Sequence, residues 1–312
     1  MTDEFARIAE IKRRLSGGGD QVRIGIGDDA AVLAPSDASQ VLSVDVQVEE
    51  VHFRREFIEM NDLGYRSLVV ALSDLAAMGA EPRAALISLI LPNALSDDQL
   101  FALTDGISEA ATRYRSPVVG GNLSRGSQLS ITTTVVGRVE ERVLTRRGAR
   151  PGDRVYLTAA IGRAALGLEY LQKERAAQAV EFVQRWRRPK ARIAEGRALL
   201  GLASAAIDIS DGLLQDLGHL CQASRVNAEI ELEALPVDPR FRLLAEALAL
   251  DPIALMLTAG EDYELVFTAP ADVPIPETYI RIGRVYEGAG LVELRDREGR
   301  YLSFDASGYR HW

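Results

Sequence analysis

Between residues 41 and 139 the hydrophobic period switches repeatedly between two and 3.6 residues, and few layer arrangements accommodate that order. "VLSVDVQVEEVHF" (41–53) alternates and is β-branched, so it reads as a strand. Residues 61–79 carry a helical pattern ended by Gly79 and Pro82, and "RAALISLILP" (83–92) reads as a buried strand. "SDDQLFALTDGISEAATRY" (96–114) is a helix with a Ser96 cap and acids in its first turn. "PVVGGN" and "LSITTTVVGRV" are two further strands. With a strand leading into "GIGDDAAVL" (25–33), the order is β-β-α-β-α-β-β, preceded by an amphipathic helix over 3–15. That order specifies an α/β (α+β) sheet with helices on one face.

"EERVLTRRGARPGD" (140–153) is charged and marked by Gly and Pro, so the boundary is placed there: domains 1–140 and 141–312. The second half reads as strand "RVYLTA", helices near 162–172, 176–185 and 189–200, and strand 205–209. Helix "DGLLQDLGHLCQAS", strand "NAEIELEAL", helix 239–248 and strands "YELVFTAP" and "YIRIGRVYE" follow. No repeat of 20–50 residues is present.

A net charge of −9 argues against general nucleic-acid binding, which needs a basic excess. No apolar stretch reaches the ~20 residues of a membrane span, and the N-terminus lacks the layout of a signal peptide. A single cysteine, Cys221, fits a reducing cytoplasm and leaves no internal disulfide. No G-x-x-x-x-G-K-[ST] loop occurs, so an anion would be met by arginine, backbone N–H groups or metal ions.

Asp74 poses the sharpest local problem. Its helical neighbours Val70, Ala71, Ala77 and Met78 are all apolar, so it sits on the face to be buried. An unpaired buried carboxylate costs several kcal/mol, so it needs a structural partner or a cation. Other acids recur beside glycines or at strand ends: Asp28 and Asp29, Asp45, Asp208 and Asp211 in "AIDISDGLL", and Glu261 and Asp262 in "AGEDYEL". Ser210 or Asp211 is placed at the start of the following helix, where N–H groups favour negative charge. Singly, each acid is accounted for by a cap or turn; together they are hard oxygen ligands suited to Mg2+, and three histidines with one cysteine do not suit zinc. Arg125 and Arg146 are the candidate phosphate contacts. His52 is read as ending a strand and "RWRRPKAR" (185–192) as the exposed face of a helix–turn pair, while the tail "GYRHW" reads as a lid on the core, with a ligand stack as the alternative.

"GIGDDAAVL", "ALSDLAAMGAEP", "LTRRGARPGD", "IDISDGLLQDLGHL", "AGEDYELVF" and a final "GY" occur in the order found in the thiamine-monophosphate kinase family, and the resemblance covers nearly the whole chain. Aminoimidazole ribonucleotide synthetase, selenophosphate synthetase and the hydrogenase-maturation carbamoyl dehydratase share looser versions of the first motifs; "SDGLxxDLGH" and "GEDYEL" favour the thiamine enzyme. The resemblance implies a two-domain synthetase-like fold, with a first-domain sheet that forms a barrel-like dimer core with a second copy and a C-terminal α/β sandwich. It implies ATP as co-substrate, several Mg2+ ions, and phosphorylation of thiamine monophosphate to the diphosphate in a homodimer. The metal ligands it implies are Asp29, Ser43, the backbone at Val44, Asp45, Asp74, Asn122, Asp208 and Asp211, with Asp74 and Asp211 catalytic. Nucleotide contacts fall on Gly121, Asn122, Arg146 and Ser210, and substrate contacts on His52 and Glu261.

This chain departs from the family at several places. It reads Asn122 for a usual aspartate, Val44 and Val46 in a usual S-T-D-T, Ala306 where a substrate-stacking tryptophan is common, and Ala159 and Ala164 for glycine and serine. Trp312 is the candidate replacement for the missing aromatic. The departures keep two rivals open: a same-fold ATP-dependent enzyme with another small substrate, and a catalytically weakened nucleotide-binding paralogue.

Overall fold

The structure, a computed structural model, describes residues 4–15, 19–26 and 30–302. The chain falls into two compact units, Met1–Leu75 with Ala80–Glu141, and Ala76–Gly79 with Arg142–Trp312.

The first unit contains α1 (Glu4–Leu15), a short antiparallel pair β1 (Val22–Ile24) and β2 (Val32–Leu33), then β3 (Ser39–Val48), α2 (Met60–Ala77), β4 (Glu81–Pro92), α3 (Asp97–Tyr114), β5 (Val118–Gly126) and β6 (Ser130–Val139). The four long strands form a sheet of order β3-β6-β4-β5, with only β4 and β5 parallel. Ser96 caps α3 in a reciprocal capping box with Gln99, and Arg115 ends the helix in the left-handed region. Helices α2 and α3 meet at paired glycines: a Cβ on Gly64 would lie 1.9 Å from the Leu103 carbonyl oxygen, and one on Gly106 1.8 Å from that of Asn61.

The two sheet faces differ sharply. Ile87, Leu89, Ile131 and Val135 are buried on the helix-covered face, while Leu42, Val44, Val46, Leu86 and Ile90 are exposed on the other. β3 alternates accordingly, with Ser43, Asp45 and Gln47 toward the helices and the valines away from them.

The second unit contains β7 (Arg154–Leu157), α4 (Arg163–Gln172), α5 (Val180–Arg187), α6 (Ile193–Ala198), β8 (Ala205–Asp208), α7 (Leu213–Ser224), β9 (Val226–Glu231), α8 (Pro239–Glu246), α9 (Pro252–Thr258), β10 (Leu265–Ala269), β11 (Ile280–Glu287), β12 (Val292–Arg295) and β13 (Tyr301–Leu302). Its sheet has the order β13-β12-β9-β11-β7-β10-β8. One core cluster joins Tyr156, Leu199, Ala206, Leu265 and Phe267 with Leu144 and with Ala76 and Ala77 from the last turn of α2. The positions after residue 302, including Ala306 and Trp312, lie outside the described residues, as does Asp29.

Three sequence expectations need correction. β3 ends at Val48, so His52 stands in the turn that follows rather than in a strand. Neither Ser210 nor Asp211 begins α7; the helix starts at Leu213 with Gly212 as its N-cap. "RWRRPKAR" is not an exposed face: Trp186 is buried, and Arg192 is engaged in a buried ion pair. Helix α9 was also not anticipated, although Asp251 followed by Pro252 is a cap-plus-proline start and the Asp251 side chain accepts from the Ile253 N–H at 2.8 Å.

Candidate functional site

In the first unit, the Asp74 carboxylate accepts a hydrogen bond from the Ser43 hydroxyl. Ser43 and Asp45 sit two apart on the helix-covered face of β3, so strand periodicity aims both toward α2. In the same row Gln47 receives a 3.4 Å contact from the Nε of the fully buried Arg66. Asp45 pairs in register with Thr133, then across to Ile87 and Gly121. The Thr133 hydroxyl is buried and lacks a partner, so this row holds an unsatisfied polar atom one strand from Asp45. Gly121 has a packing reason to be glycine: a Cβ would lie 1.8 Å from the Ile87 carbonyl oxygen.

Asn122 follows the other row. It pairs with Ser88, between Leu86 and Ile90, and is exposed. Alternation along the strand therefore sets it on the face opposite Ser43 and Asp45. Arg125 is likewise exposed near the end of β5, and Val44 is exposed on the open face. His52 caps the end of β3: its Nδ1 accepts from the Val48 N–H at 3.1 Å, which leaves the proton on Nε2.

The second unit joins two loops. Backbone bonds run from Glu261 N to Ser210 O (2.8 Å), Tyr263 N to Ile209 O (2.9 Å) and Ile209 N to Glu264 O (2.8 Å). Gly260 packs so closely on this loop that a Cβ would lie 2.0 Å from the Ser210 oxygen. Asp216, in the first turn of α7, accepts from the N–H groups of Ser210 and Asp211, both at 3.0 Å. Burial pushes its carboxyl up to about 7; the Asp211 and Ser210 amides work against that shift, and the charges of Asp208 and Asp211 add to it. Asp211 itself accepts from the Gln215 amide at 3.0 Å. The sequence reading did not assign Asp216; a first-turn acid four residues after Gly212 was the available signal.

Each acid of "GEDYEL" has its own partner. Glu261 Oε2 accepts from the Trp186 indole at 2.7 Å. Asp262 accepts from the N–H groups of Gly162 and Ala164 at the start of α4, and burial pushes it up to about 7 against those two bonds. Glu264 is held by Arg192 at 2.5 and 2.6 Å and by the Thr158 hydroxyl at 2.7 Å. Burial works against the Arg192 charge, but the hydrogen bond and charge of Glu264 outweigh it and raise its pKa. Glu261 and Tyr263 both adopt positive φ, at 67° and 53°, a conformation side chains rarely take.

Arg146 is exposed in a loop clipped to β8 and α7. Thr145 O accepts from Ala206 N at 3.0 Å, and the Ser224 hydroxyl donates to Arg146 O at 2.9 Å. Cys221 is buried and its thiol is pushed up to about 12, so it is chemically inert.

The expected ligands thus form separate sets. Ser43, Asp45 and Asp74 gather in the first unit, while Asp208, Ser210 and Asp211 gather in the second. Among the described residues no three His, Cys, Asp or Glu side chains make a ready cation cage, and none of their helices is long and apolar enough to cross a membrane.

The model for the AIR synthase related protein N-terminal domain matches residues 27–139, and that for the C-terminal domain matches residues 150–291. A thiamine-monophosphate kinase of Salmonella typhimurium is 38% identical over 328 residues, covering 99% of this chain and 98% of the relative. That of Bacillus subtilis is 33% identical over 333 residues, with 99% of each covered. The crystal structure of the thiamine-monophosphate kinase from Stenotrophomonas maltophilia superposes with a TM-score of 0.84 at 36% identity, over 96% of this chain and 98% of that one. AaThiL complexed with AMPPCP and TMP superposes at 0.83 with 35% identity, over 99% and 97%. The hydrogenase maturation protein HypE in complex with ATP, at 0.77 and 20% identity over 97% and 95%, shares the fold.

Proposed function

Since the chain belongs to the thiamine-monophosphate kinase family of AIR synthase related proteins, we propose that it transfers the γ-phosphoryl of ATP to the phosphate of thiamine monophosphate, giving thiamine diphosphate and ADP. The observation that carries this reading is the full-length similarity to a relative solved with both AMPPCP and TMP. The nucleophile is a phosphate oxygen, whose second pKa near ~6 leaves it ionised at pH 7, so no general base is required. What remains is to align two anions and offset their repulsion.

The donor chemistry fits Mg2+. Ser43, Asp45, Asp74, Asp208 and Asp211 offer hard oxygens, and the charges of Asp208 and Asp211, which add to the effect of burial on Asp216, are what a cation would offset. A magnesium site needs no complete protein cage, because one or two carboxylates with phosphate oxygens suffice. Ser43, the Val44 carbonyl, Asp45, Asp74, Asp208 and Asp211 would hold the ions, together with Asp29. When bound, Mg2+ supplies charge neutralisation on the phosphates. Asp74 and Asp211 are the acids assigned to the reaction. Gly121, Arg146 and the Ser210 loop meet the nucleotide. His52 and Glu261 meet the acceptor. Asn122 is the weakest member of the inherited ligand set, because its row faces away from Asp45.

The functional domains correspond to residues 1–140 and 141–312. A homodimer is part of the same reading: the open apolar face with Leu42, Val44, Val46, Leu86 and Ile90 supports pairing with the sheet of a second copy. The test is ADP and thiamine diphosphate formation by the purified chain. ATP consumption should require both thiamine monophosphate and Mg2+ and should stop in a chelator. ATP turnover indifferent to thiamine monophosphate would reject the reading.

A further inference from the structure

The sequence offers no reason to link Trp186 with Glu261, which lie 75 residues apart, yet the indole Nε1 donates to Glu261 Oε2 at 2.7 Å. Trp186 is 1% exposed. It stands on α5, which is docked on α4 so closely that a Cβ on Gly167 would lie 2.1 Å from the Phe182 carbonyl oxygen. The ring therefore cannot swing without repacking two helices.

The main chain around Glu261 is equally fixed. Its N–H is bonded to Ser210 O at 2.8 Å, the next side chain fastens to the start of α4, and Glu264 is gripped by Arg192. Glu261 itself is half-buried and held at a φ of 67°. A strained residue persists only where its surroundings over-determine it. An indole N–H donates along one direction from a rigid plane, so it fixes the orientation of the carboxylate it meets. Glu261 is thus an acid aimed by its neighbours and bonded through its own N–H to the Ser210–Asp211 loop.

We propose that Trp186 is a positioning residue that orients the Glu261 carboxylate toward the cationic thiamine end of the acceptor, and so sets affinity for the acceptor rather than for ATP. The proposal rests on the reading of Glu261 as an acceptor contact. Thiamine carries a thiazolium cation, and a carboxylate held in one orientation attracts a cation more than one free to rotate.

Trp186→Phe keeps the ring and removes the donor. It is expected to raise KM for thiamine monophosphate about tenfold, the scale of one hydrogen bond to a charged group, with KM for ATP and the melting temperature unchanged. If Trp186 acts through Glu261, Trp186→Phe combined with Glu261→Gln should match Glu261→Gln alone within about twofold. An unchanged acceptor KM, an equal rise in the ATP KM, or multiplicative effects in the double variant would each overturn the proposal. A second measurement is optical. The chain has two tryptophans, so an emission change present in the wild type and lost in Trp186→Phe reports Trp186. Thiamine monophosphate, and not ATP, should produce that difference; identical titrations of the two proteins overturn the proposal. Wild-type protein that turns over ATP without regard to thiamine monophosphate rejects the functional reading instead, and that assay comes first.

Discussion

An acid on one element meets a hydroxyl on a distant one in the first unit, whereas the neighbouring acids of one loop part company in the second. Asp74 on α2 meets Ser43 on β3, 31 residues away and two residues from Asp45. In "GEDYEL" three carboxylates within four positions go to an indole, two helix-start amides, and an arginine with a threonine. Local density of acids is therefore a poor guide to a site. What decides is whether protein donors already consume the oxygens: a carboxylate locked by arginine holds the fold, while one resting on a single hydroxyl or amide can exchange that contact for a ligand. By this criterion Asp74 and Asp211 are the acids proposed for the chemistry, while Glu264 is held in the framework.

The largest effect that separates the two classes is on rate. Asp74→Asn and Asp211→Asn are each expected to lower kcat by ~100-fold or more, the scale of losing one charge-stabilising group. Thermal melting should leave both variants near wild type, since each gives up only one hydroxyl or amide contact. A near-normal kcat in either would remove that residue from the reacting set and dissolve the comparison from the first unit's side.

Glu264→Gln tests the other side. Arg192 keeps only 14% of its side chain in solvent and Glu264 2%, so neutralising the acid leaves the guanidinium with Glu195, at 2.6 Å, as its remaining carboxylate. An uncompensated buried charge costs about 3–5 kcal/mol; with Glu195 in place the loss is expected below that, read as a fall in the urea midpoint at unchanged slope. If Glu264→Gln instead abolished turnover while melting normally, "GEDYEL" would be catalytic throughout and the division between framework and reacting acids would fail.

How much of this was legible beforehand depended on range. The periodic elements were readable because each is a local pattern: the Ser96 cap, the alternation of β3 and the apolar run of β4 all appear within ten or so residues. The place of Asp74 on the apolar side of α2 was legible for the same reason, although the residue is half-buried rather than buried. The start of α7 was not, because Asp216 satisfies the Ser210 and Asp211 amides from inside the helix and shifts the cap to Gly212. Trp186 and Arg192 were misread as surface because a basic, aromatic-poor stretch looks solvated until its partners 75 and 72 residues later are known. The positive φ at Glu261 has no sequence signature at all, since neither it nor Tyr263 is a residue that favours that region.

The smallest expected effect concerns Asn122, where family pattern and strand geometry disagree. The pattern makes position 122 a metal ligand and its change to asparagine a lost charge. The register argues otherwise: Asn122 pairs with Ser88 in the row of the exposed Leu86 and Ile90, while Asp45 shares its row with Thr133, Ile87 and Gly121. Adjacent rows of a pleated sheet point to opposite faces, so a carboxylate at 122 would stand across the sheet from Ser43, Asp45 and Asp74. Asn122→Asp should therefore leave the Mg2+ concentration for half-maximal activity within about twofold of wild type. A carboxylate added to the same cation would instead lower that concentration by about tenfold, on the 1.4 kcal/mol scale of a single favourable charge contact. Such a shift would mean that β5 turns its other edge to the nucleotide, and would move Asn122 from the open face into the reacting group of the first unit.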